Sequence, residues 1–250
     1  MIFSGKEKHI EPTSDRQGIL YLVSTPIGNL EDITLRAIRI FKEVDYLLVE
    51  DTRTASRLLQ HFGIANKLLS FYSYNEEKRI PYILRELQAG KAIALISEAG
   101  TPLISDPGQK LVSAVIRHHF PVVPIPGASA LLCALVGSGL PTDRFVFEGF
   151  LPRKKGRNKK LTQLSTEPGT IIIYESPYRV QKTVEDIVKI MGNRYIVIAR
   201  ELTKKFEEFI RGSAIDIITQ LSQRQLKGEI VILISGTDFI NEQDNRMDYF

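Results

Sequence analysis

The sequence predicts an α/β protein of two domains, the first on a mostly parallel sheet and the second, α+β in character, on a mixed one. Three observations carry this. Between residues 18 and 140, short apolar runs alternate with stretches of helical periodicity, the rhythm of a βαβ chain. Gly137-Ser-Gly-Leu-Pro141 interrupts that rhythm and marks a boundary. Beyond it, five strand-like runs are separated by only two strong helical patterns, more strands than parallel crossovers would allow. The organisation is a polar leader at 1–17, domains at 18–140 and 141–237, and a polar tail at 238–250.

In chain order, residues 19–23 read as the first strand. Ala37, Ile40, Phe41 and Val44 recur at helical spacing across 34–44. A buried strand at 46–49 precedes a helix at 52–61, and 68–71 reads as a shorter strand. Residues 76–87 are helical in pattern, provided that Pro81 falls in the first turn. Then follow a strand at 92–96, a long loop, a helix at 109–118, a strand at 121–125 and a short apolar helix at 129–136 that Ser129 is placed to cap. In the second half, strands are predicted at 145–150, 170–174, 195–199, 206–210 and 229–234, with helices at 177–191 and 213–223.

Composition narrows the function classes. With 250 residues, 43% hydrophobic and 25% charged, the chain buries enough surface to fold without disulfides or structural metal. Its one cysteine, Cys133, lies in an apolar run and reads as a small core residue, which fits a reducing compartment. The longest apolar run, 128–136, falls well short of the ~20 residues that span a bilayer, and residues 1–17 hold no signal-like stretch. A cytoplasmic protein without a membrane partner is the expectation. The four histidines show no ligand spacing, so no metal is expected. Net charge is +4, but residues 151–211 hold 14 Lys/Arg against 7 Asp/Glu, while 1–150 balance at 16 each. Localised positive charge of this kind favours an anionic partner.

Three Gly/Pro loops follow predicted strands, where open α/β sheets place ligands. They are Thr25-Pro-Ile-Gly-Asn-Leu30, Ser97-Glu-Ala-Gly-Thr-Pro-Leu-Ile-Ser-Asp-Pro-Gly108 and Pro124-Ile-Pro-Gly-Ala-Ser-Ala130. None has the spacing of a P-loop or a dinucleotide fingerprint. The second loop carries two carboxylates, Glu98 and Asp106, and no Lys or Arg, which suits a ligand with hydroxyls, amines or positive charge better than a polyphosphate. Read by spacing alone, the loops are equally compatible with ordinary turns.

The basic segment Arg153-Lys-Lys-Gly-Arg-Asn-Lys-Lys160 has the composition of a phosphate-contacting loop or of a solvated surface. Arg153, Lys154, Lys155, Arg157, Lys159 and Lys160 are the candidate RNA contacts, with Arg144, Arg179, Lys204 and Lys205 as possible extensions. Phe71, Tyr72 and Tyr74 form either a base-stacking cluster or part of the core, the second being the more usual fate of such residues.

The motifs Thr25-Pro-Ile-Gly-Asn-Leu-Glu-Asp-Ile-Thr34, Glu50-Asp-Thr-Arg53, Ala99-Gly-Thr-Pro-Leu-Ile-Ser-Asp-Pro-Gly108, Gly149-Phe-Leu-Pro152, Tyr174-Glu-Ser176, Ala199-Arg-Glu-Leu-Thr-Lys204 and Lys227-Gly-Glu229 closely resemble the ribosomal RNA small subunit methyltransferase I family of the tetrapyrrole methylase superfamily. The resemblance implies two α/β domains with a cofactor cleft between them, usually in a homodimer. It implies methyl transfer from S-adenosylmethionine to the ribose 2′-hydroxyl of a cytidine in small-subunit (16S) ribosomal RNA, presented naked or in an assembled subunit. On these motifs, Pro26, Gly28, Asn29, Gly100, Thr101, Pro102, Asp106, Ser129 and Ala130 would contact the donor. Tyr174, Glu175, Arg200, Glu201 and Lys227 would close over the adenosine or face the RNA. Three departures stand out: Glu98 replaces the family's usual Asp, Tyr74-Asn-Glu76 replaces His-Asn-Glu, and the chain ends at Phe250 where relatives continue in a helical extension.

The chemistry is an in-line displacement at a sulfonium carbon, which asks for alignment and a base to take the hydroxyl proton. Glu98, Asp106, Glu175 and Glu201 are the candidate bases, although Glu201 is equally placed to pair with Arg200 or Lys204. Two other classes remain open: a methyltransferase of a tetrapyrrole or other small acceptor, and a non-catalytic RNA-binding assembly protein.

Overall fold

The computed structural model describes residues 17–239. Of the predicted leader and tail, only Gln17, Asp238 and Phe239 fall within that range; the rest lies outside the described residues. The chain divides into two compact units. One comprises residues up to Ser24, Thr34–Glu98 and Asp106–Pro126; the other comprises Thr25–Ile33, Ala99–Ser105 and the chain from Gly127 onward.

The first unit carries β1 (Ile19–Val23), α1 (Leu35–Glu43), β2 (Tyr46–Val49), α2 (Thr52–His61), β3 (Leu68–Ser70), α3 (Glu76–Gln88), β4 (Ala92–Ile96), α4 (Gln109–Arg117) and β5 (Val122–Ile125). Its strands run in the order β3-β2-β4-β1-β5, and every pairing is parallel. All four residues of β2 are buried, as a strand covered on both faces requires. Thr34 starts α1 by accepting from the Ala37 N–H, and Asp51 starts α2 by accepting from that of Arg53. Pro81 does not stand in the first turn of α3 as the sequence pattern requires. It is the sixth residue, where it has no N–H to offer the carbonyl of Glu77. The helix is held there by Ile83 and Leu87, both fully buried.

The second unit carries α5 (Ala130–Ser138), β6 (Phe145–Phe150), α6 (Arg157–Leu164), β7 (Thr170–Glu175), α7 (Val180–Met191), β8 (Tyr195–Arg200), β9 (Glu208–Ser213), α8 (Ala214–Gln223) and β10 (Ile230–Ile234). The sheet order is β6-β7-β10-β8-β9; β6 joins β7 in parallel and the rest pair antiparallel, so the sheet is mixed. Strand alternation sorts the core into two layers. Ile171, Ile173, Ile196, Ile198, Ile232 and Ile234 pack with residues of α6, α7 and α8, while Ile172, Val197 and Leu233 face the other way, toward Leu131, Ala134 and Leu135 of α5.

Three local readings change. Helix α5, read from sequence as closing the first domain, packs on the second sheet. The Ser129 hydroxyl makes no cap hydrogen bond; the Ser129 carbonyl accepts from the Cys133 N–H instead. And β9 starts two residues late, because Leu202–Glu207 is spent on a turn in which Glu207 accepts from the Thr203 N–H.

Candidate active site

The parallel sheet explains why three loops far apart in sequence meet. Strands β4, β1 and β5 are neighbours, and each hands its carboxyl end to one of the Gly/Pro loops. Thr25 N–H donates to the Gly100 carbonyl at 2.9 Å, and Gly100 N–H returns the bond at 3.0 Å. Thr101 Oγ1 donates to the Ala128 carbonyl at 3.2 Å, tying in the third loop. Gly100 sits at φ +85°, and a Cβ there would press on Ile27 Cγ2 at 3.2 Å and the Ala128 carbonyl at 3.6 Å. A Cβ at Gly28 would run into the Lys204 side chain. The turns at 25–28, 99–102 and 127–128 therefore form one cluster, and the positive φ at Gly100 is the conformation that favours glycine there.

Within this cluster Pro26, Pro102 and Ser129 are buried, Thr101 and Ala130 half-buried. Asn29 acts locally, its Oδ1 accepting from the Glu31 N–H and so capping the short 3-10 turn Leu30–Asp32. Apart from His119 (60°), the described non-glycine residues at positive φ are Leu103 (72°) and Ser105 (70°) in the second loop and Glu201 (50°) and Thr203 (65°) in the turn holding Lys204. Backbone strain of this sort collects at ligand sites. Ile27, Thr203 and Lys204 also line the loop cluster, although the sequence does not single them out as donor contacts. Nothing in their local pattern marks them, since their placement depends on contacts between distant segments.

The four candidate bases lie in different surroundings. Asp106 is half-buried, and burial, reinforced by repulsion from Glu50 and Glu98, pushes its carboxyl up to about 6. Glu98 is exposed; partial burial, then Glu50 and Asp51, moves it up as well. Glu175 differs sharply. Its side chain is fully buried, accepting from the Ser176 N–H at 2.8 Å and the Thr183 hydroxyl at 2.6 Å, with Arg179 NH2 at 2.6 Å. Glu201 accepts from the Glu229 N–H at 3.0 Å and Lys204 Nζ at 3.1 Å, and these contacts, the backbone one foremost, hold it below the usual carboxylate range. Arg200 is engaged with Glu208 at 3.0 Å and with the Lys227 carbonyl at 3.2 Å, leaving the Lys227 side chain exposed.

The basic segment proves to be a turn leading into α6. Arg153, Lys154, Lys155 and Lys159 are exposed. Arg157 is not the surface cation that the sequence suggests: its guanidinium turns inward and bonds Asp186 and Thr183. Lys160, half-buried, donates to Glu148 at 2.7 Å. Of the possible extensions, Arg144 pairs with Glu167, Arg179 with Glu175, and Lys204 with Glu201 and Glu229. Tyr174 stands edge-on to Phe147 and Phe150, at centroid distances of 4.9 and 5.7 Å. Phe71 belongs to the core, whereas Tyr74 is almost wholly exposed. Cys133 is half-buried and free. Among the described residues, no helix is long and apolar enough to cross a membrane, and no group of three or more His, Cys, Asp or Glu is placed to hold a metal.

Comparison with known proteins gives a consistent picture. Residues 19–218 match the model of the tetrapyrrole (corrin/porphyrin) methylases. The chain is 48% identical over 223 residues to ribosomal RNA small subunit methyltransferase I of Halalkalibacterium halodurans, covering 89% of this chain and 77% of that one. It is 49% identical over 221 residues to the protein of that name from Synechocystis sp., covering 88% and 79%. Among solved structures, diphthine synthase superposes with a TM-score of 0.68 at 14% identity, covering 87% of this chain and 90% of that one. Uroporphyrin-III C-methyl transferase from Thermus thermophilus, complexed with S-adenosylhomocysteine, superposes at 0.60 and 21% identity, covering 88% and 98%.

Proposed function

Because the chain belongs to the tetrapyrrole methylase family, and within it to the ribosomal RNA small subunit methyltransferase I group, we propose that it transfers a methyl group from S-adenosylmethionine to the ribose 2′-hydroxyl of a cytidine in 16S ribosomal RNA. The observation that carries this reading is the convergence of the loops at 25–28, 99–102 and 127–128, stitched by the Thr25–Gly100 bridge and the Thr101–Ala128 hydrogen bond.

The residues present suit the donor. Gly28 and Gly127 are exposed at the surface of the loop cluster, while Gly100, buried and bonded through both its backbone groups to Thr25, holds the first two loops together. Glu98 and Asp106, both within the second loop, supply negative charge that suits a sulfonium and an amino group better than a polyphosphate. When bound, the donor supplies an electrophilic methyl carbon. Pro26, Gly28, Asn29, Gly100, Thr101, Pro102, Ser129 and Ala130 hold and orient it, and the buried prolines fix the loop shape in advance.

Asp106 is the general base in this reading. A base works best with a pKa near the operating pH, and Asp106 has one near 6, whereas Glu175 and Glu201 are committed to cationic and backbone partners. Glu175 and Glu201 are then anchors, fixing Arg179 and Lys204 respectively. Tyr174, Arg200 and Lys227, at neighbouring strand ends, face the adenosine or the RNA. Arg153, Lys154, Lys155 and Lys159 contact phosphates, and their exposure favours RNA over a small acceptor. An RNA acceptor assigns the protein to the compartment of the ribosome, the cytoplasm. The apolar surface of α5, where Leu132 is 50% and Val136 75% exposed, supports self-association as a homodimer, which light scattering reads directly.

The test is methylation of small ribosomal subunits, and of naked 16S RNA, from a strain lacking the protein, followed by mass-spectrometric mapping. A single new 2′-O-methylcytidine is expected. A methylated small molecule with untouched RNA would redirect the assignment to a small acceptor, and no donor binding by calorimetry would leave only an RNA-binding role.

A further inference from the structure

The exposed cations of the 153–155 turn are fastened by a residue from the same basic run. Arg157 opens α6, and its side chain is only 10% exposed. Its Nε donates to Asp186 Oδ2 at 2.9 Å, its NH2 to Thr183 Oγ1 at 2.7 Å and its NH1 to the Pro152 carbonyl at 3.4 Å. NH1 also lies 3.8 Å from Glu175 Oε2, the oxygen that accepts the Thr183 hydroxyl.

Pro152 and Arg157 bracket the tetrapeptide Arg153-Lys-Lys-Gly156. A single guanidinium grips the carbonyl at its entrance and, through its own backbone, fixes its exit. Gly156, at φ +88°, makes the sharp turn that brings those ends together. The far ends of the bonds lie on α7 and on the last residue of β7, beside Tyr174. A flexible cationic loop would meet phosphates in many arrangements; a turn clamped at both ends presents its cations in one. Three acceptors on different sides of a planar fork call for arginine, and an ammonium group cannot reproduce that geometry.

We propose that Arg157 is a positioning residue: its guanidinium aims the Arg153-Lys154-Lys155 turn relative to the carboxyl end of β7, so that bound RNA is delivered in register. This rests on the reading of that turn as RNA-contacting. It assigns to Arg157 no contact with RNA at all, although the residue sits within a run of six basic side chains.

The test uses the full chain, small ribosomal subunits as acceptor, and two kinds of variant. The triple substitution Arg153→Ala, Lys154→Ala, Lys155→Ala interrogates the underlying reading: an unchanged KM for subunits removes the turn's RNA role, whatever Arg157 does. Arg157→Lys interrogates the proposal. Its KM for subunits is expected to rise on the order of tenfold, with donor affinity by calorimetry unchanged. The slope of log affinity against log salt is expected to stay as in the parent, because no phosphate contact is lost. Added to the triple variant, Arg157→Lys is expected to change KM by less than about twofold, since a turn without cations has nothing to aim. A parental KM, a salt slope reduced by about 0.7 to 0.9, or a full additional loss in the triple background would each overturn the proposal. Should Arg157→Lys not fold, Asp186→Ala removes the acceptor of the Nε bond while leaving the arginine in place, and the same readouts decide.

Discussion

Asp106 links stability and activity with opposite signs. Its pKa is raised from 3.8 to about 6 in the folded protein, so between those values the native state holds a proton that the unfolded chain has released. The resulting stabilisation is complete below about 3.8 and is lost as pH rises through 6. A general base needs the opposite form, so kcat/KM is expected to climb as pH rises toward about 6 and to level above it. Asp106→Asn should abolish that rise, lower the rate by about 10²- to 10⁴-fold and raise the melting temperature at pH 7; a pH–rate profile and a thermal melt check the pair of effects. A rate unchanged by the substitution would remove Asp106 as base. Gly100 is constrained in another way. At φ +85° and 3.2 Å from Ile27, Gly100→Ala should cost about 1–3 kcal/mol in denaturant unfolding and weaken donor binding. Both residues are legible in sequence as members of a Gly/Pro loop. The burial that lifts Asp106 is not, because it comes from how the chain folds around the carboxyl.

The helices and strands are readable where apolar periodicity is strong, and opaque where it is not. Helix α2 matches its predicted bounds because Ala55 and Leu59 are buried at helical spacing behind a capping Asp51. Helix α6 escapes sequence reading: of its eight residues only Leu161 and Leu164 are apolar, and the rest read as a charged surface loop. The same gap hides the inward turn of Arg157. No local pattern announces that one cation of six will be claimed by Asp186 and Thr183, which lie 29 and 26 residues away. The buried ions linking β7, α6 and α7 make a sharp prediction. Glu175→Gln leaves Arg157 and Arg179 without their shared countercharge, and should destabilise the protein by about 3–5 kcal/mol in urea or guanidinium unfolding. A loss under about 1 kcal/mol would mean that Asp186 and solvent compensate for it.

The mixed and parallel sheets are both legible in broad outline, because the spacing between apolar runs limits which strands can pair. The assignment of segments to units is not. The sequence places a boundary at Gly137–Pro141, yet the chain passes between its two compact units five times, after Ser24, Ile33, Glu98, Ser105 and Pro126. Connectivity of that kind leaves no signature in composition. Charge does: with 14 basic against 7 acidic residues in 151–211, RNA affinity is expected to fall log-linearly with salt while donor affinity stays flat, and equal slopes would count against separate binding surfaces. The repeated crossings also bear on dissection of the gene. A fragment ending at residue 140 would inherit α5 without the β8 and β10 surfaces that cover Leu131, Ala134 and Leu135, together with two loop inserts deprived of their hosts. Such a truncated product is expected to precipitate on expression, so neither half of this methyltransferase can be lent to another protein as an independent module.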